Sequence, residues 1–250
     1  MLAALLEMAP SGVEQVDGEG FVEYAIYGAP GEVPVLPMGE AKVAGVQVNV
    51  SGHEVAADWG ERWKRFHEPV LVGGRLFVRP PWTEPRRDTL DIVIDPGQAF
   101  GTGAHPTTRL CLELLLALEP AGSLADLGCG SGVLAIAAAK LGFGPVIALD
   151  NEPAALEATR ANALANAVEL DRIERLNLRE QPPPPAATVT ANLTRPLLTR
   201  MAELLVDRPD TLIVSGLLEE EADEVVAAFE PLRERRRLTL HGWSALLLSG

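Results

Sequence analysis

Cysteine, long apolar runs and basic residues are all scarce in this sequence of 250 residues. The two cysteines, Cys111 and Cys129, provide neither a disulfide framework nor the spacing of a metal site. No run approaches the roughly 18 apolar residues of a membrane span. The apolar start "MLAALLEM" has no basic flank and reaches Glu7 at once, which argues against a signal peptide. We therefore expect a cytoplasmic globular protein that binds no metal and contacts no membrane.

The shortage of basic residues is unevenly distributed along the chain. Overall there are 21 basic and 35 acidic residues, a net charge of −14. Residues 1–60 carry nine acids and one base, Lys42, whereas residues 61–90 carry seven bases and four acids. An acidic surface repels phosphate backbones and attracts basic partners. On charge alone, acidity that merely keeps the protein soluble is the commoner interpretation, and direct binding of nucleic acid by the first 60 residues is not expected.

The first part of the sequence predicts a small α+β domain. Its predicted elements are a helix at 2–8 and strands at 12–16, 20–27 and 42–50, with a stretch rich in proline and glycine before the last strand. A further helix is predicted in "EVAADWGERWKRFHEPV", with aromatic residues on one side and basic residues on the other. We assign residues 1–54 to a small acidic α+β domain and residues 55–70 to a linker helix.

Residues 71–250 predict a second, larger α/β domain. Short strands and turns are predicted at residues 71–98. From about residue 107 onward, helices alternate with strands rich in valine, isoleucine, alanine and leucine. This alternation is typical of a mostly parallel sheet with helices on both faces. The basic cluster "RERRR" at 233–237 is interpreted as a solvated turn before the final pair of strands. Trp243, in the last strand, is expected in the core.

The densest functional signal is "LADLGCGSGVLAIAA", residues 124–138, where a buried strand ends in a turn with three glycines and a helix begins. Such glycines let the backbone approach a ligand at the carboxyl end of the strand. A dinucleotide site would need its third glycine at Val133, and there is no Gly-Lys-Ser/Thr phosphate loop. The next strand ends in Asp150, 22 residues after Gly128, where a carboxylate can accept both hydroxyls of a ribose. These features predict S-adenosylmethionine, a nucleoside cofactor without phosphates; the alternative is a turn needed only for tight packing.

A third strand with a polar end is "TVTANLTRPLL", which places Asn192 at the same edge of the predicted sheet. An asparagine side chain there, or the carbonyl groups after it, can hold an amine or amide with its lone pair facing the methyl donor. The alternative is that Asn192 caps the helix that begins near Pro196. Its position next to Gly128 and Asp150 favours the functional interpretation.

Four stretches resemble the methyltransferase family of the large-subunit ribosomal protein eleven: "DPGQAFGTGAHPTTRLCLELL", "LADLGCGSGVLAIAAAKLG", "VIALDNEPAALEATRANALAN" and "ANLTRPLL". They follow in the same order and with close spacing, and the resemblance covers residues 56–220 well and the first 50 residues loosely. It implies a seven-stranded, mostly parallel Rossmann-like methyltransferase sheet with a small α+β amino-terminal domain. The residues implied to contact S-adenosylmethionine are Thr107, Gly128, Asp150 and Asn192, with Phe100 as an apolar wall. His105 either fixes the loop or moves protons, and we assign no catalytic residue.

The resemblance also implies a substrate, which is the α-amine and lysine side chains of ribosomal protein eleven. The acidic first domain would bind this basic protein, and we expect a monomer without direct contact to nucleic acid. Two departures from the family bear on the substrate. The family's first domain begins with a strand ahead of its first helix, so either the start of this chain is assigned too late or the small sheet lacks an edge strand. In addition, "ANLTRP" replaces the more usual aliphatic residues after the asparagine.

Other functions remain open at this point. A methyltransferase of the same class could act on another protein or on a small-molecule amine, although glutamine methylation of release factors would require Asn-Pro-Pro-Tyr where this chain has Asn192 followed by Leu193 and Thr194. A binding module that has lost the cofactor is a second possibility, which the four cofactor positions disfavour. Methylation of RNA is the weakest, because the sequence has no patch that combines aromatic and basic residues.

Overall fold

The computed structural model describes residues 14–18, 21–25, 39–43, 46–52, 68–96, 101 and 103–250. The chain divides into two compact units, Met1–Arg62 and Trp63–Gly250. This boundary lies within the predicted linker, residues 55–70. Most of that linker and the predicted helix at 2–8 are outside the described residues.

The described part of the first unit consists of two antiparallel hairpins. Strand β1 (Glu14–Gly18) pairs with β2 (Phe21–Ala25), and β3 (Gly39–Val43) pairs with β4 (Val46–Val50). The prediction of one strand over 42–50 is therefore wrong. Side chains alternate with the same period of two in both arms of a hairpin, so alternation alone did not reveal the reversal of direction.

The second unit begins with a small three-stranded sheet, as the short strands predicted over 71–98 indicated. Strand β5 (Val70–Val72) runs antiparallel to β6 (Leu76–Arg79), which is parallel to β7 (Leu90–Val93). The backbone amides of Val93 and Asp95, at the end of β7 and just after it, donate to the side chains of Asn166 and Asn162.

The larger sheet has seven strands, as predicted. They are β8 (Leu124–Leu127), β9 (Val146–Asp150), β10 (Arg172–Arg175), β11 (Thr188–Asn192), β12 (Thr211–Leu218), β13 (Arg233–Leu240) and β14 (Trp243–Ser249). The order across the sheet is β10-β9-β8-β11-β12-β14-β13. Neighbours are parallel from β10 to β12, and β14 is antiparallel to both β12 and β13.

Helices cover both faces of this sheet and bury two apolar clusters against it. They are α1 (Pro106–Leu116), α2 (Val133–Leu141), α3 (Pro153–Ala165), α4 (Arg195–Leu204) and α5 (Ala222–Ala228), with a 3₁₀ turn at Glu219–Glu221 ahead of α5. Proline lies in the first turn of α1, α3 and α4, where its missing N–H removes no helical hydrogen bond. No helix among the residues described is both long and apolar enough to span a membrane.

The two outermost strands of the large sheet were misinterpreted from the sequence. Strand β10 was missed, and residues 233–237, predicted as a turn, form the first part of β13. Both strands have only one neighbour in the sheet and are mostly exposed. Charged side chains are usual on exposed edge strands because they discourage pairing with other chains, but they leave no apolar alternation to recognise.

Candidate functional site

Polar groups meet at one edge of the large sheet because three neighbouring strands end there. Strands β9, β8 and β11 are adjacent and parallel, so their carboxyl ends lie side by side. Asp150 ends β9, Gly128 follows β8, and Asn192 ends β11. Ligands of open α/β sheets bind outside the carboxyl ends of such strands.

The glycine loop, Gly128–Gly132, turns sharply from β8 into α2. Gly128, Gly130 and Gly132 all have positive φ angles, of 73°, 53° and 82°. The Gly128 amide donates to the Leu149 carbonyl at 2.8 Å, which ties the start of the loop to β9. The positive φ angle of Gly128 favours glycine, and an added Cβ atom would also force the terminal methyl group of Leu193 to move.

Asp150 holds the middle of the glycine loop. One carboxylate oxygen accepts from the Gly130 amide and the other from the Glu152 amide, each at 3.0 Å. A carboxylate offers about four acceptor positions, so two of them remain for hydroxyl groups of a ligand. The half-buried Asp150 therefore has a structural role, and its role as an acceptor for a ligand stays a prediction.

Helix α3 fastens the other side of the glycine loop through residues that the sequence analysis did not single out. The Thr159 hydroxyl donates to the Gly130 carbonyl at 3.0 Å, and the Asn162 amide donates to the Ser131 carbonyl at 2.9 Å. The Asn162 side-chain oxygen accepts from the Asp95 amide at 3.0 Å, beyond the end of β7. The only sequence signal for this bridge was the quoted stretch "ATRANALAN", in which two asparagines four residues apart share one face of the helix.

The pre-helix segment (Gly101 and residues 103–105) lies against the glycine loop. The buried Ser131 hydroxyl donates to the Gly101 carbonyl at 2.7 Å. Gly101 has a φ of 106°, and a Cβ atom there would lie 2.9 Å from the Ser131 hydroxyl oxygen. Phe100, predicted as an apolar wall of the site, lies outside the described residues.

The start of α1 reaches the same edge of the sheet. Asn192 Nδ2 donates to the Thr108 hydroxyl at 3.3 Å. Thr107 is buried, and its hydroxyl contacts Nδ1 of His105 at 2.8 Å. Trp243 is half-buried rather than in the core, and its ring meets the His105 ring edge to face, with centroids 5.1 Å apart. The structure thus links Asp150 to the glycine loop and Asn192 to the start of α1, and Ser131 of the loop is bonded to Gly101, five residues before that helix.

A buried carboxyl lies beneath the glycine loop. Asp126 accepts from the Thr190 hydroxyl at 2.7 Å and from the Ala135 amide at 3.2 Å. Burial raises its pKa to about 7 in spite of these hydrogen bonds. Burial also raises the pKa of both cysteines, that of Cys129 to about 12, so neither thiol is a ready nucleophile. In the described part of the chain, no group of three or more histidine, cysteine, aspartate or glutamate residues could hold a metal ion.

The strand order, the glycine loop after β8 and the acid at the end of β9 define the Rossmann-like methyltransferase class. Two solved structures share this fold. Ribosomal protein L11 methylase from Lactobacillus delbrueckii is 24% identical, with a TM-score of 0.66 over 74% of this chain and 98% of that one. A tRNA (uracil-54, C5)-methyltransferase from Pyrococcus abyssi, solved with S-adenosyl-L-homocysteine, is 21% identical, with a TM-score of 0.54 over 70% of this chain and 45% of that one.

Sequence similarity identifies the family. A family model described as ribosomal protein L11 methyltransferase (PrmA) matches residues 37–249. The ribosomal protein L11 methyltransferase of Azotobacter vinelandii is 44% identical over 178 residues, which are 69% of this chain and 61% of that protein. The chain therefore belongs to the ribosomal protein L11 methyltransferase family, and the match spans about three-fifths of the length of the Azotobacter relative.

Proposed function

We propose that this protein is a cytoplasmic N-methyltransferase that transfers methyl groups from S-adenosylmethionine to amines of ribosomal protein L11. The observation that carries the proposal is the shared edge at which the glycine loop, Asp150 and Asn192 meet. The family and the relatives named above support the substrate. The target amines are the α-amine and lysine side chains, as the sequence resemblance implies.

The residues at this edge fit S-adenosylmethionine. Gly128 and Gly130 present backbone without side chains, and Asp150 retains acceptor positions for the two ribose hydroxyls. No lysine or arginine belongs to the glycine loop, which suits a cofactor without phosphates. The Pyrococcus abyssi enzyme of the same fold binds the demethylated form of this cofactor. Thr107 and Asn192 complete the proposed cofactor set.

The chemistry requires a neutral amine near the carboxyl end of β11. S-adenosylmethionine supplies an electrophilic methyl group, and the amine nitrogen must approach it in line with its lone pair free. A free lysine has a pKa near 10.4, so only about one molecule in 2,500 is neutral at pH 7, whereas an α-amine with a pKa near 8 is much less protonated. A crevice at this edge lowers the amine pKa by desolvation, and the Asn192 side chain orients the nitrogen. Positioning of this kind can supply several kcal/mol of the barrier, so a dedicated base is not required.

The acidic first unit is the proposed docking surface for the basic substrate. Its residues 1–60 carry nine acids and one base. We retain the proposed division into a recognition domain, residues 1–54, a linker and a methyltransferase domain, residues 71–250. We also propose that the protein acts as a monomer without contacting nucleic acid or membrane.

The test compares Asp150, the last residue of β9, with Asp171, which precedes β10 and contacts the first residue of β9. Asp150 binds the glycine loop at the carboxyl end, while Asp171 accepts from the Val146 amide at 2.7 Å at the other end. Calorimetry with S-adenosylmethionine and transfer of label to unmethylated L11 should both succeed for the wild type and for Asp171→Ala. Asp150→Ala should weaken cofactor binding about 10- to 100-fold, the loss expected for hydrogen bonds to a charged group.

Each other outcome has a defined meaning. Cofactor binding without transfer to L11 would move the substrate to another amine. No cofactor binding by the folded wild type would refute the proposed enzyme. An equal loss of cofactor affinity in both aspartate variants would show that Asp150 acts through fold stability alone.

A further inference from the structure

His105 occupies the N-cap position of α1, immediately before Pro106. Its φ and ψ angles of −65° and 138° are extended, as an N-cap requires, and its side chain accepts a hydrogen bond from the Thr107 amide. The distance from that amide to Nδ1 is 3.4 Å, and the Thr107 hydroxyl lies 2.8 Å from the same nitrogen. A ring nitrogen thus replaces the oxygen that serine, threonine or asparagine would supply at a helix start.

This geometry favours one of the two neutral tautomers of the ring. A backbone N–H can only donate, so Nδ1 must present its lone pair to the Thr107 amide. With Nδ1 as the acceptor, the Thr107 hydroxyl donates to it as well, and the tautomer assigned to the neutral ring carries its proton on Nε2. Burial lowers the pKa of His105, which favours the neutral ring. The edge-to-face contact with Trp243 holds the plane of the ring.

We infer that His105 is a positioning residue, which fixes the start of α1 and the direction of the Thr107 hydroxyl, and that it is not the base of the methyl transfer. A general base needs a lone pair directed at the substrate proton, whereas Nδ1 is engaged by Thr107 and Nε2 carries hydrogen. The consequence for activity rests on the proposed function, because Thr107 is one of the proposed cofactor contacts. The tautomer and the helix cap do not depend on it.

Asparagine separates the two roles at this position. It is among the best N-cap residues and cannot titrate, so His105→Asn keeps the cap and abolishes any proton transfer. His105→Ala removes both. A matched control is His241→Asn, because His241 is exposed and has a φ of 51° in the turn before β14, a conformation that asparagine tolerates well.

The expected results combine a spectroscopic and a kinetic measurement. Nitrogen NMR of the full chain should show His105 with hydrogen on Nε2 at pH 7.5. His105→Asn should keep kcat within about threefold of wild type, with the same pH profile of kcat as wild type and His241→Asn. His105→Ala should weaken S-adenosylmethionine binding about fivefold, the ratio that corresponds to loss of one helix cap.

Two results would overturn the inference. One is hydrogen on Nδ1. The other is a fall of a hundredfold or more in kcat for a folded His105→Asn, which is the range for loss of a general base. If the wild type transfers no methyl group, the proposed function fails, and the NMR result together with the thermal midpoints of the asparagine and alanine variants still decides the role of the cap.

Discussion

The glycine loop, Gly128–Gly132, and the pre-helix segment, Gly101 and residues 103–105, meet at the same edge of the sheet but are held in different ways. The loop is bonded to β9 at Leu149 and Asp150 and to α3 at Thr159 and Asn162. The described part of the segment is joined to the loop by Ser131, and His105 caps the helix that follows. The loop is therefore bonded to two elements of the core, whereas the hydrogen bond described for Gly101 joins the segment to the loop itself.

This difference has a physical consequence for binding. Groups that already belong to the packed core lose little conformational entropy when a ligand binds, whereas a segment that becomes ordered on binding loses more. Changes in the glycine loop should therefore reduce both stability and cofactor affinity. Changes in the fastening of the segment should affect affinity more than stability.

The largest effect is expected for Gly132→Ala. Gly132 caps α2 with a φ of 82°, and an added Cβ atom would lie 2.8 Å from the Thr159 methyl carbon and 3.2 Å from its Cα atom. Backbone strain and overpacking together should destabilise the fold by about 2–5 kcal/mol and abolish S-adenosylmethionine binding. Denaturant unfolding and calorimetry measure both effects.

Gly142→Ala is the matched control at the other end of α2. Its φ is 105°, but a Cβ atom there has no neighbour closer than 3.8 Å. Gly142→Ala should show the effect of backbone strain alone. Its loss of unfolding free energy should be about 1–3 kcal/mol smaller than that of Gly132→Ala, and cofactor binding should stay intact. Equal costs for the two variants would mean that the contact of the loop with α3 is not a tight one.

The next effect is a pH dependence from Asp126, beneath the glycine loop. Because its folded pKa, about 7, lies above the unfolded value near 3.8, the folded state binds the extra proton between these values. The stability from this group is complete below about pH 4 and is lost as the pH rises through 7. Relative to Asp126→Asn, the free energy of unfolding of the wild type should fall across this range, by at most about 1.4 kcal/mol per pH unit.

Asparagine can accept from Ala135 with its oxygen and donate to the Thr190 hydroxyl with its NH₂ group, which reverses the bond that Thr190 donates to Asp126. The pH dependence of the difference between the two proteins therefore reports the ionisation, because a changed hydrogen bond contributes equally at each pH. Urea titrations at pH 4, 5.5 and 7 measure it. A difference that stays constant across these three values would show that Asp126 titrates normally.

The sequence predicted where the site lies better than it predicted how the site is held. Gly128, Asp150 and Asn192 could be placed at one edge because the carboxyl ends of adjacent parallel strands coincide whatever their side chains do. Their assignment as cofactor contacts stays a prediction. The bridges of Ser131 and Asn162 span 30 residues or more of sequence, and nothing in a local pattern identifies which backbone groups they reach.

The fold shows the same limit. The buried strands and the helices around them were predicted because apolar periodicity is strong there, whereas edge strands β10 and β13 carry charged residues on exposed positions and were missed or interpreted as a turn. The exposed hairpin of β3 and β4 was predicted as one strand for a related reason. Where burial is weak, the pattern carries little information about chain direction.

The smallest effect, and the most direct test of the difference between loop and segment, is expected for Ser131→Ala. The change removes the hydroxyl that donates to Gly101 at 2.7 Å and accepts from the Val133 amide at 3.4 Å, but it leaves the carbonyl that accepts from Asn162, so the glycine loop keeps its hold on α3. Loss of the shorter of these two neutral hydrogen bonds is worth about 1 kcal/mol, which corresponds to about a fivefold weaker binding of S-adenosylmethionine if the segment must be ordered when the cofactor binds. Amide hydrogen exchange near residue 101 should become faster while exchange in β8 and α2 stays as in the wild type. The matched control is Ser215→Ala, a buried serine whose hydroxyl donates to the Ser244 carbonyl, also at 2.7 Å, within the sheet. It should cost similar stability and leave exchange near residue 101 unchanged; if Ser131→Ala behaves in the same way, the segment is held by the core as firmly as the loop.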